Sequence, residues 1–263
     1  MVRSLWTAAS GMTGQQYNVD TIANNLSNVN TVGFKKQRAE FEDLLYITTK
    51  KAGTPATKQT VVPTPTQVGH GVKVAATQRM FTQGSLRETG IKTDLALDGE
   101  GFFRVLLRDG SFGYTRNGEF KIDENNQLVT NQGFRILPEL ILPENYLKDS
   151  LSIDANGRVS IKTFDGVDVE LGQMQVHRFV NPAGLNAVGE NIFKVSAASG
   201  EAIGGFPGAN GFGAIHQGFV EMSNVDIASE MVNMIVAQRA YEMNSKAIQT
   251  SDTMLGIANN LRR

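Results

Sequence analysis

Three side chains in this sequence could move protons near neutral pH or hold a metal: His70, His177 and His216. They lie far apart and none stands in an H-x-x-x-H or H-x-E spacing, so they do not read as a metal site. His70 and His216 are expected in loops and His177 in a strand. The carboxylates Asp94, Asp98 and Glu100 cluster. Paired acids can cleave a glycosidic bond, but only at a set separation, and acids beside glycines are expected as turn residues. The surrounding "DGEGFF" has a G-x-G without a third glycine or a following helix, which fits a strand-entry turn better than a dinucleotide loop. No G-x-S-x-G elbow or P-loop occurs. Cysteine is absent, which removes thiolate nucleophiles, disulfides and Cys-bound metals. Lys35, Lys36 and Arg38 read as a solvated basic face, and Tyr241 as a packing residue. No enzyme chemistry and no cofactor are expected.

The elements that would carry such residues are more informative. From Leu5, residues at alternating spacings of three and four are Leu5, Ala8, Met12, Gln15, Val19, Ile22, Leu26 and Val29. This is a heptad seam, interrupted only by Gln15. Gly11 and Gly14 each cost a helix interior up to about 1 kcal/mol, so the helix needs a partner. At the other end Ile227, Met234, Tyr241, Ile248 and Leu255 recur at strict sevens, with Ala240, Ala247, Met254 and Leu261 beside them. Ser223 and Asp226 fit a capping box, predicting a helix from Asn224 to Leu261. Glu242 and Lys246 are spaced as an i,i+4 pair, and Ala237, Ala240, Ala247 and Ser251 would allow close approach between helices. Asn24, Asn25, Asn28 and Asn30 crowd the end of the first helix before Gly33, although Asn costs a helix roughly 0.6 kcal/mol against Ala. Two readings stay open. The amides pair with neighbouring chains and fix register, or the helix frays into an Asn-rich turn stopped by Gly33.

Between the helices the period changes. Asp109-Gly110, Asn117-Gly118, Asn156-Gly157 and Asp165-Gly166 punctuate short alternating runs such as "FFRVLL", "GRVSIKTF" and "VDVELG", as in an antiparallel sandwich or barrel. The stretch Thr49–Gln67 is rich in Thr, Lys and Pro without a period, and reads as an extended loop or linker. The glycine-rich run at 200–218 reads as a second irregular connection. The fold class is therefore α+β: a mainly antiparallel β centre with terminal helices forming a coiled-coil-like pair. The expected layers are a helical one at 1–34 and 222–263, a connecting one at 35–92 and 206–221, and a β one at 93–205. A net charge of −1 calls for neither nucleic acid nor an anionic membrane. No apolar run reaches membrane-spanning length, and the first residues lack the unbroken apolar stretch of a cleaved signal peptide.

Two long end motifs carry a resemblance. "ANNLSNVNTVGFKK" (Ala23–Lys36) resembles the N-terminal signature of bacterial flagellar rod and hook proteins, and "EMVNMIVAQRAYEMNSKAIQTSDTML" (Glu230–Leu255) their C-terminal signature. "TQGSLRETG", "DLALDGEGFF", "RSLWTAASGM" and "RAEFEDLLY" are similar to further motifs of this axial family. The resemblance implies a structural subunit of the flagellar basal body, in the distal stretch of the rod, stacking helically with copies of itself. Hook or proximal rod membership is the alternative within the family, and a secreted glycan-binding or glycan-cleaving β domain the alternative outside it. Implied partners are proximal rod and hook proteins, the ring proteins of the peptidoglycan and outer membrane, and the flagellar export machinery. The implied place is the periplasmic rod, and the implied role of the segment after Tyr46 is to stiffen it. The residues assigned to assembly are Leu5, Met12, Val19, Ile22, Leu26, Asn24, Asn25, Asn28, Ile227, Met234, Tyr241, Ile248 and Leu255.

Overall fold

Two long helices and a set of short strands make up the computed structural model, which describes residues 2–53, 55–57, 60–61, 63–143, 150–164 and 167–260. Leu261, the Asp165-Gly166 turn and parts of Thr49–Gln67 lie outside the described residues. The chain divides into two units, one of residues 1–26, 37–78 and 226–263, the other of residues 27–36 and 79–225. These boundaries differ from the three layers expected from the sequence. The Asn- and Gly-rich turn after the first helix belongs with the β unit, and the 37–78 segment with the helices.

The helical unit holds α1, Val2–Ser27, and α2, Ile227–Asn260. At 1.5 Å per residue they run roughly 39 and 51 Å. α2 starts later than its sequence suggests. Asp226 is the cap, its carboxylate accepting from the Ala228 and Ser229 amides, whereas the Ser223 hydroxyl accepts from Val225 N–H in the preceding turn. Gln37–Asp43 pairs with Val72–Arg79 in the same unit. Beyond that pair, Tyr46–Lys50 runs antiparallel to Thr66–Gly69, and Pro55–Thr57 to Thr60–Val61. The stretch read as an extended loop or linker thus contributes residues to paired strands where it is described. Its β-branched Thr and Val residues favour extended backbone, and nothing in a solvated ribbon enforces the apolar alternation that marks a half-buried strand.

The β unit is built on a nine-stranded antiparallel sheet ordered Phe120–Ile122, Leu128–Thr130, Arg135–Leu137, Phe102–Leu106, Phe112–Thr115, Ile192–Lys194, Asn186–Gly189. Val176–Arg178 also pairs with Phe102–Leu106 and carries Ile203–Gly205 on its other edge. The adjacent Phe102 and Phe103 point to opposite faces, as strand geometry demands. Phe103 joins Leu95, Val105, Phe120, Val159, Met174 and Ile215 in the larger core, and Phe102 joins Tyr114, Phe179 and Phe193 in a smaller aromatic one. The turn at Asp109-Gly110 closes the hairpin between Phe102–Leu106 and Phe112–Thr115, with Leu107 N–H donating to Ser111 O at 2.9 Å. Ser152–Ile153, Arg158–Lys162 and Asp168–Gln173 form a separate three-stranded sheet. The glycine-rich run at 200–218 is not wholly irregular, since it contributes the strands Ile203–Gly205 and Ala214–Gln217.

Candidate functional site

Among the groups that could do chemistry, His216 and Asp98 meet, with Nε2 3.7 Å from Oδ2. His177 lies in a strand as expected, while His216 pairs within a strand opposite Ala96 rather than in a loop, and His70 is in a loop. Burial, and then the Arg104 guanidinium, pushes the His177 pKa down to about 4. Among the described residues its Nδ1 has no hydrogen-bond partner. Asp94 accepts from the Thr89 hydroxyl at 2.6 Å, Asp98 from Gln83 Nε2 at 3.1 Å, and Glu100 faces Arg178 at 3.7 Å. Each acid is engaged by a different partner. Among the described residues no group of three His, Asp or Glu side chains is placed to hold a metal.

The basic cluster after α1 is not a solvated face. Lys35 has a fully buried side chain, and its Nζ donates to Thr82 O at 2.8 Å and Glu221 Oε1 at 2.5 Å. Arg116 approaches the other Glu221 oxygen at 3.3 Å and donates to Gly99 O at 2.7 Å, while Gly84 N–H donates to Glu221 Oε1 at 2.9 Å. Two buried cations therefore share one carboxylate. Burial lowers the Lys35 pKa, with Glu221 working against the shift. Only Arg38 of the expected face is exposed, paired with Glu40 at 3.0 Å. The same turn needs Gly33, which adopts φ +71° and whose missing Cβ would lie 2.6 Å from Asn117 N. These residues anchor the 27–36 turn inside the β unit.

In the helical unit α1 and α2 run antiparallel. Ser4 meets Ser251, their hydroxyl oxygens 3.5 Å apart, and Asn25 Nδ2 donates to Glu230 Oε2 at 3.0 Å. A Cβ on Gly11 would sit 2.8 Å from Asn244 Nδ2, so the glycine whose cost stood out in the sequence is where α2 comes close. Ser4, Gly11 and Asn25 are thus matched by Ser251, Asn244 and Glu230, equal heptad steps forward on one helix and back on the other. Ala237 lies on the same line of α2 and is buried. Met234, Ile248 and Leu255 are half-buried beside it, Tyr241 is more open, and Ile227 is about half exposed. On α1, Ala8 and Ile22 are buried and Leu5, Met12, Val19 and Leu26 half-buried. Gly14 faces Phe41 and Val72 of the paired strands, which cover another side of α1.

Of the asparagines, Asn25 is buried and bonds Gln37 in both directions, accepting from its N–H at 2.9 Å and donating to its C=O at 2.8 Å. Asn28 accepts from Thr31 through its backbone and its side chain, and Asn24 is exposed. The Asn run is therefore neither simple fraying nor wholly outward: Asn25 is spent inside its own unit. Glu242 takes Arg239 at 2.9 Å.

Sequence reasoning missed a second stripe on α2. Val236, Met243 and Ile257 recur at heptad multiples and are exposed, with Ala240, Ala247 and Met254 alongside. At 100° per residue this line lies about 100° around the helix from the line facing α1. Ile227, Met231, Val232 and Ile235 extend the exposed apolar surface at the start of α2. An open groove of about 340 Å³ lies between the helices, lined by Gln16, Val19, Gln238, Tyr241 and Glu242.

Residues 5–35 match the flagella basal body rod protein family, residues 96–161 the flagellar hook protein FlgE/F/G D1 domain, and residues 216–261 the flagellar basal body rod FlgEFG protein C-terminal domain. The chain is 62% identical to the flagellar basal-body rod protein FlgG of Borreliella burgdorferi, over 100% of both chains. It is 48% identical to that of Buchnera aphidicola subsp. Acyrthosiphon pisum over 97% of this chain and 98% of the other, and 40% identical to that of Bacillus subtilis over 100% of both.

Proposed function

The chain belongs to the FlgG family of flagellar basal-body rod proteins and is a structural subunit of the distal rod, not an enzyme, and from that premise we propose that copies join helically through the outward stripe of α2 into a rigid shaft that carries motor torque to the hook. One observation carries this reading: α2 has two apolar lines, and α1 covers only one of them. Each Met or Ile side chain on the open line gains roughly 1.5–3 kcal/mol only when something buries it, and a heptad-spaced line is matched by another helix. A second copy supplies such a helix. Leu5, Met12, Val19 and Leu26 on α1, and Ile227 and Tyr241 on α2, complete the packing around the groove. The subunit works in the basal body of the flagellum. Within it, we assign the periplasmic stretch of the rod, with proximal rod and hook proteins as axial neighbours, ring proteins around it and the flagellar export machinery as the route of delivery.

The test is assembly of purified protein carrying Met243→Glu and Ile257→Glu, followed by sedimentation and electron microscopy. Loss of sedimenting polymer with helix content retained is the expected result. Polymer formation equal to the unsubstituted chain would overturn the reading.

A further inference from the structure

We infer that Asn25 is the register pin of the helical unit, the residue that decides which turn of α2 faces which turn of α1. The inference concerns the single chain and stands apart from the assembly reading. Along the matched line the side chains are mostly small: Ser4 and Gly11 on α1, Ala237, Asn244 and Ser251 on α2. Sliding α2 by one heptad sets small against small again, with Gly11 opposite Ser251 and Ser4 opposite Ala258. Packing alone therefore discriminates poorly between the two registers. The Asn25–Glu230 pair discriminates well. Both residues are about 1% exposed. The Asn25 amide is engaged three times, with Gln37 N–H, Gln37 O and Glu230 Oε2. Glu230 also accepts from Asn233 at 3.5 Å.

After a slip, Asn25 would face Ala237, and its bond to a buried carboxylate would be lost without replacement. An unsatisfied buried polar group is costly, and a buried polar pair in a helix seam buys register at the expense of stability. The bonds to Gln37 add direction. They tie Asn25 to the first residue of the strand Gln37–Asp43, so the pin is held by the strand as well as by α2.

Because the chain has no cysteine, engineered pairs report register directly. Ser4→Cys with Ser251→Cys reads the observed register, and Ser4→Cys with Ala258→Cys reads the slipped one. With Asn25 in place the first pair should dominate under mild oxidation. In an Asn25→Leu, Glu230→Leu background, apolar packing replaces the polar pair and the ratio of the two crosslinks should fall by about tenfold, the factor a 1.4 kcal/mol loss of preference gives. Helix content by circular dichroism should persist. An unchanged ratio would show that Asn25 supplies stability alone and would overturn the inference. Loss of helix in the double variant would do the same, since the pair would then be holding the helices rather than choosing between registers.

Discussion

Glu221 is one carboxylate shared by Lys35 and Arg116, with side chains almost wholly removed from water. Removing the single anion strands two cations, so Glu221→Gln should destabilise the β unit by about 3–5 kcal/mol in a denaturant titration. Lys35→Met leaves Arg116 and the Gly84 N–H on the carboxylate and should cost about 1–2 kcal/mol. The two variants ranked the other way would refute the shared-anion account. None of this was legible locally. Lys35 stands beside Lys36 and three residues before Arg38, a pattern that reads as solvated, and its partner is 186 residues further along. His177 makes a second residue-level expectation. Its folded pKa of about 4 lies below the ordinary value near 6.5, so the unfolded chain takes the proton first as pH falls. The stability it contributes is complete above about pH 6.5 and lost between there and about pH 4, up to about 3 kcal/mol at 1.36 kcal/mol per unit. Unfolding of His177→Asn followed across that range should lack this part of the slope.

The two lines on α2 differ in how far the sequence reveals them. Met234, Tyr241, Ile248 and Leu255 stand out at strict sevens because large apolar residues mark them, and the structure sets them beside α1. The residues in closest approach, Gly11, Ala237 and Ser251, carry almost no hydrophobic signal, although the unusual cost of Gly11 pointed to a partner. The outward line hides for a different reason: Ala240, Ala247 and Thr250 dilute Val236, Met243 and Ile257. The helix start was misplaced because Ser223 and Asp226 are both good caps, and only the amides of Ala228 and Ser229 choose between them. Ile248→Ala, at a half-buried position on the inner line, should cost the helical unit about 1–3 kcal/mol. Hydrogen exchange should quicken along α1 and α2 and stay unchanged in the nine-stranded sheet. Quickening in the sheet would mean that the two units unfold as one.

At the scale of the whole molecule, the family was legible from the end motifs, and the antiparallel β centre from its alternating runs and turn dipeptides. The pairing of Tyr46–Lys50 with Thr66–Gly69 was not, because these strands face water. Leu45, Tyr46, Ile47 and Val68 are exposed apolar residues on and beside them, a surface suited to lying against a neighbouring subunit. Deleting residues 49–67 should leave the subunit folded and exported but yield rods that bend. Electron micrographs of rods from such a strain decide it, and straight, normally stiff rods would reduce the segment to a connector. The division into units has a further consequence, in time rather than space. The β unit takes most of its residues from the one stretch 79–225, whereas the helical unit is gathered from three stretches, with Ser4 meeting Ser251. Closing a contact across almost the entire chain is slow and must await its last residues. A chain emerging from its N-terminus can therefore complete its sheets while the first helix is still waiting for the last. The helical unit is complete only when the polypeptide is entire, so a truncated copy has a first helix with no partner to close upon.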